Sequence, residues 1–437
     1  MDRSSRFFYA LEKRRGGKKH ITFLLAEDGT PLTDPKEMRG RARAFYASLF
    51  SPDLTDAEAC RVLWTKLPTV SAGDRDQLEL PLSLAKLLEA LRRMPTNKSQ
   101  GMDGLTVEFY RVFWDVLGSD LVIVWAESLQ SGVLPLSCRR AVLTLLLKKG
   151  DLCVLRNCCP ISLLGTDYKV IVKAISLRLG SVLADVVHPD QTYTVPGWTI
   201  FDNLYLVRDL LELGHRDGLS FTLLSLDQEK AFDRVDHRYL LGTLRVFSFG
   251  PQFVGFLQVL YTDADCLVRL NWTLIELVSF GRGVWQGFPL SGQLYALAIE
   301  PFLCLLHWRL TELVLREPEP ELWLVLSAYT DDVLLNHLVW VETCQAVFTR
   351  QPPPPGSSGS RALTWWSGMG GRGAPSHPRL KQSGGVWVRC SILAFIYPPH
   401  ILLCQRTGRI WRPGWVSGCR DGQDCSGVSP CEGERWC

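Results

Sequence analysis

No apolar run in this 437-residue chain is long enough to cross a membrane. The longest uncharged stretches, 283–299 and 391–404, fall short of the roughly 18 residues a spanning helix needs, and proline or polar groups interrupt them. An apolar leader is missing too, because the first thirty residues are studded with charge where a signal sequence has its hydrophobic region. The chain is therefore expected to be intracellular. Charge of one sign is scarce: 48 Lys and Arg stand against 45 Asp and Glu, a balance of +3, so net charge alone does not point to nucleic acid. Only the first twenty residues are locally basic. There Arg3, Arg6, Lys13, Arg14, Arg15, Lys18 and Lys19 outnumber Asp2 and Glu12, a cluster suited either to phosphates or to a solvated terminus. Closely spaced cysteine ligand pairs are lacking near the C-terminus, where Cys419, Cys425, Cys431 and Cys437 recur every six residues, wider than the usual spacing of zinc ligands. The 14 cysteines are expected to be free thiols in a reducing compartment.

What is present is a chain rich enough in apolar residues, at 46%, to build a sizeable core. Spacings of three and four predict helices over Ala44–Phe50 and Ser83–Met94, the second with a stripe of Leu84, Leu87, Leu88 and Leu91. The turn-rich segment from Asn97 to Gly104 leads to Thr106, placed to cap a helix. Two helices are predicted over Leu105–Gly118 and Leu121–Gln130, then a buried strand over Ala141–Leu147, then a helix over Thr166–Val187. Another helix begins at Thr199, with Asp202 as its capping partner. From 219 to 340 the texture becomes mixed. Strands are predicted at Phe221–Leu226, Cys266–Asn271, Leu274–Phe280 and Trp323–Ala328, and helices at Asp236–Phe247 and Ser291–Leu310. This is an α+β pattern. Beyond about 350, a proline run and a mixture of Gly, Trp, Arg, Ser and Cys without a period predict a disordered tail.

Two acidic motifs carry the chemistry. The apolar strand Phe221–Leu226 ends in Asp227, which lifts a carboxylate to the edge of the core. Tyr329-Thr330-Asp331-Asp332 lies between two apolar runs and reads as a β-hairpin with acids at its turn. Carboxylates held close together repel, and a hard divalent cation is the usual means of holding them. Three of them from two strand ends match a two-metal site for in-line phosphoryl displacement.

These motifs are Leu226-Asp227-Gln-Glu-Lys-Ala-Phe-Asp233, Trp285-Gln-Gly-Phe-Pro-Leu-Ser291 and Ala328-Tyr-Thr-Asp-Asp-Val333. In order and spacing they resemble the reverse transcriptases of non-long-terminal-repeat (LINE-type) retrotransposons. Gly101–Tyr110, Asn157–Leu164 and His188-Pro-Asp-Gln191 resemble the same family upstream, and the likeness covers about residues 80–340. The resemblance implies a right-handed-palm polymerase core with fingers and palm. It implies an RNA template, a DNA primer and deoxynucleoside triphosphates as partners, with two Mg²⁺ ions (Mn²⁺ as an alternative) held by Asp227, Asp331 and Asp332. Phe232 would exclude a 2′-hydroxyl, Gln286 and Gly287 would line the nascent base pair, and Lys148 and Tyr329 would bind substrate.

Departures from the family pattern stand at informative positions. Cys159 occupies the place of an arginine expected to face the triphosphate, Trp285 stands where arginine is common, and Leu147 replaces a proline. The resemblance fades by about His337, before the primer-grip hairpin and thumb, so the thumb is expected to be absent and synthesis impaired. The alternative expectation is a non-catalytic nucleic-acid-binding remnant of a retrotransposon reading frame. The expected division is a basic, helical linker region over 1–80, an N-terminal extension and fingers over 81–219, a palm over 220–345 and a low-complexity tail over 346–437.

Overall fold

A computed structural model describes residues 20–53, 55–148, 150–151, 153–217, 221–314, 325–337, 380–381 and 387–395. The basic cluster before His20 and the cysteine-rich segment from 419 onward lie outside the described residues. A small hairpin pairs β1 (Leu24–Leu25) with β2 (Pro31–Leu32). Nine further strands form two sheets: β3 (Arg140–Leu147), β4 (Cys158–Leu163), β5 (Phe221–Gln228), β6 (Asp265–Leu270), β7 (Thr273–Ser279), β8 (Val325–Tyr329), β9 (Asp332–His337), β10 (Leu380–Lys381) and β11 (Trp387–Phe395). One sheet has the order β10-β11-β5-β9-β8 and is antiparallel throughout. The other has the order β4-β3-β6-β7, with one parallel pairing between β3 and β6.

The parallel pairing is reinforced by side chains. Arg140 and Asp265 are register partners, and the guanidinium grips the carboxylate with two bonds of 2.7 and 2.9 Å. A forked pair of this kind fixes orientation as well as distance. It also joins the expected fingers to the expected palm within one sheet.

Residues before 80 contribute to the core instead of serving as a linker. The helix Pro35–Phe50 starts where the Asp34 side chain accepts from the Lys36 and Glu37 amides, each at 3.0 Å, and proline at its first position has no amide to leave unbonded. Met38, Ala42, Tyr46 and Leu49 recur at helical spacing and are buried. Phe50 packs on Phe280 with ring centroids 4.7 Å apart, and the buried Arg282 donates to the Leu49 carbonyl at 2.7 Å.

Several expected elements differ in extent. The helix after Thr106 stops at Val112, and a second runs unbroken over Trp114–Ser131. Gly118 is therefore interior, because it packs where a Cβ would come within 2.8 Å of Leu84 and of Trp114. That helix ends at Gly132, whose φ of +77° suits glycine alone at low cost. Leu84 lies partly exposed, so of the leucine stripe only Leu87 and Leu91 are fully buried. The predicted helix over Thr166–Val187 ends at Gly180 and resumes as the single turn Leu183–Val186. A helix over Pro251–Tyr261 was not expected from its periodicity, although Gly250 and Pro251 give it a start signal. In the expected disordered tail, β11 pairs with β5, with Arg389 opposite Asp227; the remainder of that segment lies outside the described residues.

The long helix Ser291–Val314 is the central support, with Leu294, Ala296, Leu297 and Leu303 inaccessible to solvent. Gln293 donates to the Ser176 carbonyl at 3.1 Å, and Tyr239 donates to the Ala298 carbonyl at 3.1 Å, so helices on either side are tied to it. Among the described residues, no helix is long and apolar enough to cross a membrane.

Candidate functional site

The two acidic motifs meet in one ladder. Asp227, near the end of β5, is the register partner of Asp332, the first residue of β9, and Asp332 in turn opposes Tyr329 at the end of β8. Thr330 and Asp331 form the turn between β8 and β9. Asp331 is half-buried and Asp332 exposed, so these two carboxylates stand at the rim of the sheet and not in the core. Directly opposed residues in an antiparallel pair have Cβ atoms roughly 4.5–5.5 Å apart, so the register sets the backbones of the two motifs side by side.

The turn is braced from outside the sheet. Gln191, itself buried, donates from its side-chain amide to the Thr330 carbonyl at 3.2 Å and accepts from the Thr330 amide at 3.1 Å. Its neighbours extend the clamp: the Ala328 amide donates to the Asp190 carbonyl at 2.8 Å, and the Thr192 amide donates to the Ala328 carbonyl at 3.1 Å. Asn203 donates to Ser327 Oγ at 2.6 Å and to the Ala328 carbonyl at 3.1 Å. Its helix, Ile200–Asp217, is fixed at the start by Asp202, which accepts from the Thr199 amide at 2.6 Å. Thr330 needs such support because its φ of +60° lies in the left-handed region, which is costly for a β-branched residue. Tyr329 meets the Tyr193 ring edge-on at 5.2 Å. Burial, with the neighbouring Tyr329 and Asp331, raises the Tyr193 hydroxyl above its ordinary pKa.

After β5 the chain turns sharply, with Lys230 at a φ of +57°, and enters a short helical turn over Phe232–Arg234. Phe232 stacks on Tyr295 at 4.7 Å with planes 12° apart, and the Tyr295 hydroxyl donates to Gln228 Oε1 at 2.8 Å. The ring is thereby held rigidly. Gln286 donates to Asp233 Oδ1 at 2.7 Å, and its carbonyl accepts from the Ser162 amide of β4 at 3.1 Å, so this segment ties the two sheets together. Gly287 has a φ of +93° and lies where a Cβ would touch Ile161 at 3.6 Å. Asp233 is almost fully buried and, among the described residues, its Oδ2 has no hydrogen-bond partner; burial raises its pKa to about 6, against the lowering influence of Lys230 and Gln286.

On the second sheet, Lys148 follows β3, exposed, with its amide donating to the Asn157 carbonyl at 3.1 Å. Cys158 is buried on β4 and Cys159 half-buried, as alternation along a strand requires. Lys230 spans the gap between the sheets and donates to the Cys158 carbonyl at 2.5 Å. Arg156 pairs with Glu229 at 2.5 Å on the same side. Sequence motifs alone gave no role to Gln191, Asn203, Lys230 or Tyr295, and their partners lie too far along the chain for a local pattern to reveal. The quoted His188-Pro-Asp-Gln191 segment was the signal that could have found the first of them.

The combination of an aspartate-ended strand, an acidic hairpin beside it and a second sheet with a lysine at its end defines a palm-type polymerase fold. Residues 147–338 match the family model described as reverse transcriptase (RNA-dependent DNA polymerase). The chain is 62% identical over 353 residues, 80% of its length, to the transposon TX1 uncharacterized 149 kDa protein of Xenopus laevis, covering 27% of that protein. It is 26% identical over 244 residues, 54% of its length, to the Pol polyprotein of the type-2 retrotransposable element R2DM of Drosophila melanogaster, covering 22% of it. A Pol polyprotein of the type-1 element R2 of Popillia japonica is 26% identical over 133 residues, 30% of this chain and 22% of that one. Residues 147–338 are a reverse transcriptase domain of non-long-terminal-repeat retrotransposon origin. The chain spans about a quarter of the length of the curated relatives it matches.

Proposed function

We propose that this chain is an RNA-directed DNA polymerase of impaired synthesis, which extends a DNA primer on an RNA template with deoxynucleoside triphosphates and uses Asp227, Asp331 and Asp332 to hold two Mg²⁺ ions. The observation that carries the reading is the register of Asp227 with Asp332 beside the braced Thr330–Asp331 turn. The donor set is all carboxylate, which suits a hard ion such as Mg²⁺, with Mn²⁺ as a substitute. Bound there, the ions would supply Lewis-acid stabilisation of the attacking and leaving oxygens.

The protein's own residues have separate tasks. Phe232, fixed by its stack on Tyr295, presents a rigid edge against which a 2′-hydroxyl would clash. Gln286 and Gly287 shape the pocket for the nascent base pair, with glycine allowing close backbone approach. Lys148 offers a point charge to the triphosphate, and Tyr329 supports the nucleotide from the hairpin.

Primer extension on an RNA template with Mg²⁺ tests this reading. The unaltered chain should extend, and Asp331→Asn and Asp227→Asn should lower the rate by about a hundredfold to a thousandfold, in line with loss of charge stabilisation at a reacting phosphate. Equal extension by the Asp331→Asn protein would sink it. A second reading, a nucleic-acid-binding remnant without catalysis, is favoured by Cys159, half-buried where the family places an arginine. Salt-dependent RNA binding that Asp331→Asn leaves unchanged, with no extension by either protein, would support that alternative.

A further inference from the structure

A cluster outside the acidic site has the chemistry of a different metal. His188 Nδ1 lies 3.0 Å and His307 Nδ1 3.2 Å from the same oxygen, Asp190 Oδ2. The two imidazole rings face each other with centroids 4.5 Å apart, and one ligand atom from each of the three residues lies within 4.8 Å of the others. His188 and Asp190 come from the loop after the turn Leu183–Val186, and His307 comes from the helix Ser291–Val314.

The geometry points to a binding site for a divalent transition metal of the zinc class at His188, Asp190 and His307, bridging that loop and that helix. Zinc bonds to nitrogen and carboxylate oxygen at roughly 2.0–2.2 Å, so adjacent ligands of a tetrahedral ion stand roughly 3.3–3.5 Å apart. The observed separations from Asp190 Oδ2 need open by only a few tenths of an ångström. Two imidazoles with one carboxylate select zinc-class ions over Mg²⁺, which prefers oxygen alone. His307 is exposed, so the cluster can be reached from solvent.

The surroundings are polar where a core would be apolar. Glu300, two turns before His307 on the same helix, is inaccessible to solvent; its Oε1 accepts from the His188 amide at 2.9 Å and from Cys304 at 3.1 Å. Among the described residues, its Oε2 has no hydrogen-bond partner. A buried carboxyl left half-satisfied is the kind of partner that orients a metal-binding loop.

The site would fix the loop that braces the acidic hairpin. Asp190 offers its side chain to the ion and its carbonyl to the Ala328 amide, and the next residue, Gln191, holds Thr330. One residue thus links the ion to the turn carrying Asp331. The inference stands on the cluster itself and does not depend on polymerase activity.

Metal uptake by the full chain tests it. After stripping with a chelator, Zn²⁺ would be titrated against a chromophoric competitor, with Co²⁺ as a spectroscopic substitute. The unaltered chain should bind about one equivalent more than His307→Gln or Asp190→Asn, with excess Mg²⁺ failing to displace it. That extra equivalent, loaded with Co²⁺, should lack thiolate charge-transfer absorption, which separates it from ions taken up by the 14 cysteines. His307 is exposed, so His307→Gln should keep the far-ultraviolet circular dichroism of the parent, which separates loss of the ligand from loss of the fold. Equal stoichiometry in all three proteins, or an extra equivalent bearing a thiolate band, overturns the proposal.

Discussion

Gln191 holds Thr330 by both of its backbone polar groups, its side-chain amide donating to the Thr330 carbonyl at 3.2 Å and its side-chain oxygen accepting from the Thr330 amide at 3.1 Å. A residue in a left-handed conformation is therefore pinned immediately before Asp331. Gln191→Leu removes both bonds in a buried place, together with the one its oxygen accepts from the Tyr193 amide at 3.1 Å, and the stranded backbone groups should cost about 1–3 kcal/mol of stability. Misplacing the turn should also slow primer extension by about tenfold to a hundredfold. Urea unfolding and single-turnover extension measure the two effects; a variant matching the parent in both would remove Gln191 from its positioning role.

Thr330→Gly relieves the left-handed strain directly. Keeping the turn's hydrogen bonds, it should stabilise the protein by about 1 kcal/mol, read as a higher urea midpoint. Loss of stability on this change would mean that the threonine side chain contributes more than its backbone costs.

Asp233 makes stability fall as pH rises. Its pKa is raised from the ordinary carboxylate value to about 6, so the folded state holds a proton that the unfolded state releases near pH 4. The contribution of the protonated form is complete below about pH 4 and is lost as pH climbs through about 6, a change on the order of 3 kcal/mol. Asp233→Asn, which can still accept from Gln286, should abolish this dependence and should be the more stable protein at pH 7. Urea titrations at pH 4.5 and 7.5 on both proteins decide it.

Cys159→Arg returns a cation to the half-buried face of β4. If nucleotide binds across Lys148 and this face, KM for deoxynucleoside triphosphate should fall by about threefold to tenfold, with kcat changing less. A rise in RNA affinity with unchanged KM would instead assign this face to template.

The parts legible in the sequence are those set by local chemistry. β5 ends one residue past Asp227 because a leucine-rich run gives way to polar residues, and the hairpin at Thr330–Asp331 is announced by two apolar runs around a polar turn. Thr106 and Asp202 cap helices where their side chains predict, and Asp236, read as the first residue of its helix, is that helix's cap. What stayed hidden depends on partners distant in sequence. Gly118 reads as a helix end in the sequence, but Leu84 and Trp114 pack against it inside a continuous helix. Gln191 reaches Thr330 across 139 positions, and no periodicity records such a bond. The side chains of His188, Asp190 and His307 converge for the same reason, the last arriving from a helix more than a hundred residues later.

The forked bond between Arg140 and Asp265 spans 125 positions, and the parallel ladder it reinforces has a bearing on synthesis. β3 waits on the ribosome for β6, its only parallel partner among the described residues. At about 5–20 residues per second, that wait is on the order of ten seconds. During it, the apolar run Ala141–Leu143 has one edge uncovered and is open to pairing with another nascent chain. Yield in cells should thus depend on how quickly translation passes residue 270, and slow codons between the two strands would favour aggregation before the protein is complete.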